Sequence, residues 1–242
     1  MNPRETITHL PSSNPVVLGR RNVYHQAGYA AAIYLGNKER QLPAVHFQLS
    51  LLPMQNARYT SKTSHKPMIH CVKLVGGRLI ENLPVSFENA TQDFSPAQKA
   101  AYQDAFEADI INVFTAPLAE AKYIATRDGE VFNPNLVYLG AISFYGERYD
   151  LQLINEYIQC LIPRDKNARN RKLTDLFLAA YRFVHDQSNW LAITNLAETI
   201  YKHPENRMSC EEIGVVLDLP HRPTINPLFP HVTDSPTTVS AR

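Results

Sequence analysis

The chain has 242 residues, a formal net charge of +1 and 19% charged residues, so it can bury a large core and carries no charge excess aimed at nucleic acid or an acidic membrane. Its three cysteines, Cys71, Cys160 and Cys210, are far apart and form no C-x-x-C pair, which argues against a disulfide framework or a cysteine-built zinc site. The opening MNPRETITHLPSS lacks the apolar run of a signal peptide. The most apolar stretch, 132–146, is too short for a membrane span and is broken by Pro134 and two asparagines, so the expected setting is the cytoplasm, with no membrane and no nucleic-acid partner.

Residues 1–20 show no periodicity and are expected to be a flexible lead-in. A helix is expected from Asn22, a good N-cap, to Gly36, a good C′ residue. Ala27, Gly28, Ala30, Ala31 and Ala32 make it slim, which suits burial against other helices. AVHFQLSLL then alternates as a half-buried strand does, and IHCVKLV, Gly76-Gly77 and RLIE read as a hairpin with a two-glycine turn. The polar segment 55–67 between them is expected to be a mobile loop.

Ser95-Pro96-Ala97-Gln98 is a helix start, with Ser as N-cap, Pro at N1 and Gln at N3. That helix should run to about Thr115, where Pro117 either kinks it or opens a second helix ending at Gly129. Residues 130–148 look irregular and aromatic, and a helix is expected from Arg148 to Leu161. The basic connector 164–172 reads as a solvated loop before helices over 171–186 and 188–202. Ser209 and Glu212 form a capping box for a last helix to Leu217, and the proline-rich residues 219–242 are expected to be a disordered tail. The fold expected for 21–218 is mainly α, a helical bundle with a small sheet or hairpin insertion after the first helix.

On the first helix His25 and Tyr29 lie four residues apart, hence on one face, with Gln26 beside His25. That is the layout of H-E-x-x-H, in which two histidines hold zinc and the glutamate activates water. Segments in chain order resemble the peptidase domain of the FtsH-type zinc metalloproteases. YHQAGYAAAIYL resembles that family's H-E-A-G-H-A helix, PLAEAKYIA its alanine–glutamate helix after the sheet insertion, and GERYDLQLINEYI its segment supplying the third zinc ligand. The closing helices also fit, so the resemblance spans about residues 20–218. It implies an FtsH-type bundle, with His25 as first ligand, Asp150 as third and Glu120 as the glutamate of the second helix. It also implies self-association, since such domains assemble as rings. The family's ATPase module and membrane helices have no counterpart in these residues.

The departures decide the chemistry. Tyr29 stands at the second-histidine position, and a phenol with a reference pKa of about 10 must ionise to bind metal well. Gln26 stands at the position of the catalytic glutamate, and an amide cannot cycle a proton near neutral pH. Conventional zinc proteolysis is therefore not expected, and no cofactor is, although zinc stays the metal to test. Taken alone, His25 is a core histidine, Asp150 a first-turn residue and Glu120 a solvated helix glutamate. His46 and His70 on the strands have no ligand spacing, and Cys160 reads as an inert core thiol. The expected function is that of a pseudoprotease serving binding or assembly with a protein partner. The alternatives are a hydrolase with an altered zinc site and a structural subunit whose motif is accidental.

Overall fold

The computed structural model describes residues 17–53, 69–135, 141–145 and 148–219. The expected mobile loop (55–67), all but the last four residues of the expected flexible lead-in (1–20) and all but the first residue of the expected disordered tail (219–242) lie outside the described residues. The described residues 17–20 are not a flexible lead-in but form a short strand and the start of the first helix. The described part is mainly helical with a small sheet, and none of its helices is long and apolar enough to cross a membrane.

The slim helix forms the centre. β1 (Val17–Leu18) leads into α1 (Arg20–Ala31), which continues through a π-helical turn (Ala32–Gly36) into the short α2 (Asn37–Glu39). The helix starts earlier than expected, with Gly19 as its N-cap and no capping side chain. Asn22 is not free to cap, because its side-chain oxygen accepts the Val72 N–H at 2.7 Å. One turn on, the Gln26 oxygen accepts the Leu74 N–H at 2.9 Å. Val23 through Gly28, Ala30 and Ala31 are buried as α1 packs on α4, α7 and β3.

Those two side chains explain the sheet. β3 (Ile69–Gly76) pairs in parallel with β1 only over Ile69 and His70, and antiparallel with β2 (Phe47–Pro53) along its length. Beyond His70 the side of β3 that faced β1 has no strand neighbour among the described residues, and Asn22 and Gln26 supply its acceptors instead. β4 (Arg207–Ser209) pairs with β2, giving the order β1-β3-β2-β4. Phe47, Leu49, Val72 and Leu74 turn one face of the sheet to the core, while Lys73 and Val75 face outward.

The expected hairpin at Gly76-Gly77 does not form; β3 pairs back on β2 instead. Both glycines do adopt left-handed backbone, at φ 84° and 85°, and the Gly77 N–H donates to the His46 carbonyl. The chain beyond them is drawn off the sheet, because the Leu79 and Ile80 N–H groups both donate to the buried Asp109 carboxylate at 2.9 Å.

After the short α3 (Phe87–Ala90), the helix α4 runs unbroken from Pro96 to Asp128, through Pro117. Its Ser95–Gln98 capping box is present, and Gly129 closes it in left-handed backbone at φ 72°. The proline does not end the helix because both sides of it are buried against α1, α5 and α6, and packing outweighs the one lost hydrogen bond. α5 (Arg148–Leu161) follows a 3-10 turn at Ala141–Phe144. The basic connector is helical rather than a loop: α6 (Lys166–His185) starts where Asp165 accepts the Ala168 N–H at 2.9 Å. α7 (Gln187–Lys202) and α8 (Cys210–Leu217), with its Ser209–Glu212 capping box, complete the bundle.

Candidate functional site

The slimness of α1 has a physical use where α4 crosses it. A Cβ on Gly28 would collide with that of Ala119 and sit 3.2 Å from the Thr115 carbonyl oxygen. This close approach brings Glu120, the next residue of α4, against His25 on the turn of α1 beside Gly28. Glu120 is therefore buried, not a solvated helix glutamate. The His25 Nδ1 lies 3.4 Å from a Glu120 oxygen. That is within ion-pair range but too poorly aligned to satisfy Nδ1 as a hydrogen bond, so it is a contact between charges. On the other side of the ring, His25 Nε2 lies 3.2 Å from an Asp150 oxygen in the first turn of α5. Three helices therefore meet on one imidazole that is 3% exposed.

The charges run further. Arg21, one turn before His25, donates from Nε to Glu120 at 2.7 Å and approaches it through a second nitrogen at 2.6 Å. Burial by itself lowers the His25 pKa, but the Asp150 and Glu120 contacts outweigh it and push the imidazole up to about 9. Burial likewise acts to raise the Glu120 carboxyl, and His25 with Arg21 holds it below the usual range. The result is an alternating Arg21–Glu120–His25–Asp150 chain of charge, with an imidazolium at its centre near neutral pH.

Tyr29 is partly buried one turn beyond His25, and its phenol is pushed far up, first by burial and then by the charges of Asp109 and Asp150. Gln26, at the position expected for a general base, is 6% exposed and directs its oxygen to the strand. His46 precedes β2 and His70 lies on β3, and the Cys160 thiol donates to the Pro84 carbonyl at 3.2 Å, its pKa raised by burial.

Whether these residues suit zinc can be judged from their arrangement. A tetrahedral ion with bonds of about 2.0–2.2 Å keeps its ligand atoms about 3.4 Å apart, close to the His25–Asp150 separation. The remaining donors do not fit. Glu120 faces the opposite ring nitrogen and cannot share one ion with Nε2, Tyr29 holds its proton, and His25 favours a proton over a lone pair. Among the described residues no three His, Cys, Asp or Glu side chains surround a common point as metal ligands do.

Sequence reasoning missed several residues that build this region, and some of them carry a signal. Asp109 sits three residues after Phe106 and four before Val113, on the apolar stripe of α4, where a buried carboxylate demands partners. It takes them from Leu79, Ile80 and the Tyr157 hydroxyl at 3.0 Å, while burial pushes its own pKa up. Asn22 and Gln26, polar at i and i+4 on an otherwise small-residue helix, mark the face that meets β3. Nothing in the sequence marks Arg21. Compared with family models, curated proteins and solved structures, the chain matches none of them.

Proposed function

We propose that the chain is a non-catalytic relative of the FtsH-type peptidase domain, a pseudoprotease that keeps the site as a structural joint and works through binding or assembly. The observation that carries this is the convergence of His25, Glu120 and Asp150, from separate helices, with one carboxylate on each ring nitrogen. In a histidine that ligates zinc, one nitrogen takes the metal and the other a carboxylate. Here Asp150 has the metal's side, and the imidazole joins the helices as a cation. Gln26 supports the same reading, because its acceptor holds β3 and its amide offers no base. No catalytic step through zinc follows from such a donor set.

The test is to rebuild the site. The double variant Gln26→Glu with Tyr29→His should take up more zinc than the parent, measured by metal content after purification without chelator. It should still fail to cleave casein, since the new carboxylate at position 26 would inherit the contact with the Leu74 N–H. A folded double variant that takes up no additional zinc would remove Asp150 from the ligand role and the peptidase ancestry with it. Chelator-sensitive peptide hydrolysis by the parent would instead favour the altered-site hydrolase.

A further inference from the structure

Two clefts adjoin along the segment just before β2. One, of about 720 Å³, is largely apolar and runs between the π-turn of α1 and α8, with Ile33, Phe47, Val215 and Leu219 in its walls. The other, of about 640 Å³, is polar and is lined by His46, Arg78, Glu81 and Asn82. Ala44 and Val45 line both, so they form the ridge between them. Neither residue makes a backbone–backbone hydrogen bond among the described residues, which leaves their N–H and C=O groups able to pair with an extended chain.

Arg78 gives the polar cleft its character. The residue is half-buried, and it has no ion pair or hydrogen bond within the chain among the described residues. Asp109, whose carboxyl the Arg78 charge acts to lower, accepts its hydrogen bonds from Leu79, Ile80 and Tyr157 instead. Arg78 is also not paired with Glu81 across the cleft. An arginine whose N–H groups make no hydrogen bond within the chain has donors to offer a ligand, and a carboxylate matches its planar fork. Glu81 on the same cleft disfavours a doubly charged phosphate more than a single carboxylate.

We propose that this double cleft binds the C-terminal end of an extended peptide: its terminal carboxylate on Arg78, its backbone along Ala44–Val45, and an apolar side chain in the cleft beside α8. The proposal uses none of the residues of the His25 site, so it stands or falls apart from the peptidase ancestry.

The experiment titrates the full chain with acetyl-Gly-Leu-Phe carrying a free carboxylate and with the same peptide as a C-terminal amide, read by calorimetry. The acid should bind about tenfold or more tighter than the amide, the share of one charge-assisted hydrogen bond. Arg78→Gln should abolish that preference and Arg78→Lys keep part of it, with far-UV circular dichroism confirming the fold of each. Val215→Asp, on an exposed position of the apolar wall, should weaken both peptides and leave the acid-over-amide ratio intact. No binding of either peptide at millimolar concentration, equal binding of both, a preference that survives Arg78→Gln, or tighter binding of inorganic phosphate would each overturn the proposal.

Discussion

At the scale of single residues, His25 and Gln26 carry opposite lessons about the same helix turn. His25 keeps the position it would have as a ligand, but two carboxylates make it a buried cation. Its folded pKa of about 9 lies above the unfolded value of about 6.5, so the stability it contributes is complete below about pH 6.5 and is lost as pH rises through 9. Lys122 works the other way: burial lowers it to about 8, so its contribution grows as pH rises above that value, and total stability against pH would blend the two. The clean measurement is therefore the imidazole itself. NMR should find His25 still protonated at pH 8 and titrating near 9, and Asp150→Asn should bring that midpoint down. A midpoint near 6.5 in the parent would dismiss the charge chain. For Gln26, replacement by Met keeps the volume but leaves the Leu74 N–H unpaired, and should cost about 1–3 kcal/mol in urea denaturation. Gln26→Glu retains an acceptor and should cost less.

At the scale of elements, the decisive fact is that α1 and α4 touch backbone to backbone. Gly28 is required there for lack of a side chain rather than for an unusual backbone angle. Gly28→Ala should destabilise by about 1–3 kcal/mol, because neither backbone can retreat without moving Glu120 from His25. Removing the opposing methyl with Ala119→Gly in the same chain should recover part of the loss, and simple additivity of the two changes would count against the contact. The same elements show where local signals lose to packing. Pro117 breaks an isolated helix but not one buried on several sides, and Gly76-Gly77 can turn a hairpin but leads here into residues held by Asp109.

At the scale of the molecule, α1 is shared by the sheet and the bundle, which couples them. Asn22 and Gln26 fasten it to β3, Gly28 and His25 to α4, and Tyr24 stacks on Tyr123 and reaches Trp190 of α7 at 5.8 Å between rings. Lys122 adds a tie between α4, α6 and α7, donating to the Val184 carbonyl at 2.8 Å with its ammonium 4.5 Å from the Trp190 ring. Trp190 is the only tryptophan of the chain, so its fluorescence reports this junction. Urea unfolding followed by that fluorescence and by far-UV circular dichroism should give coincident transitions. Separate midpoints would mean that sheet and bundle melt apart and that α1 does not couple them.

The sequence by itself determined what short-range chemistry controls. The Ser95 and Ser209 caps, the Arg148–Leu161 helix, the mainly helical content and the position of β2 could be read from spacing and residue type, because contacts within a few residues set the caps and helices and the alternation of apolar residues marks the strand. It also singled out His25, Glu120 and Asp150, though not what they do to one another. The tertiary structure decided the rest: that Gln26 serves a strand, that Asp109 draws the chain off the sheet after Gly77, and that a carboxylate stands on each side of His25. Those outcomes depend on groups separated by tens of residues in the chain and by about 3 Å in space, where burial and neighbouring charge, rather than residue identity, set the protonation of an imidazole.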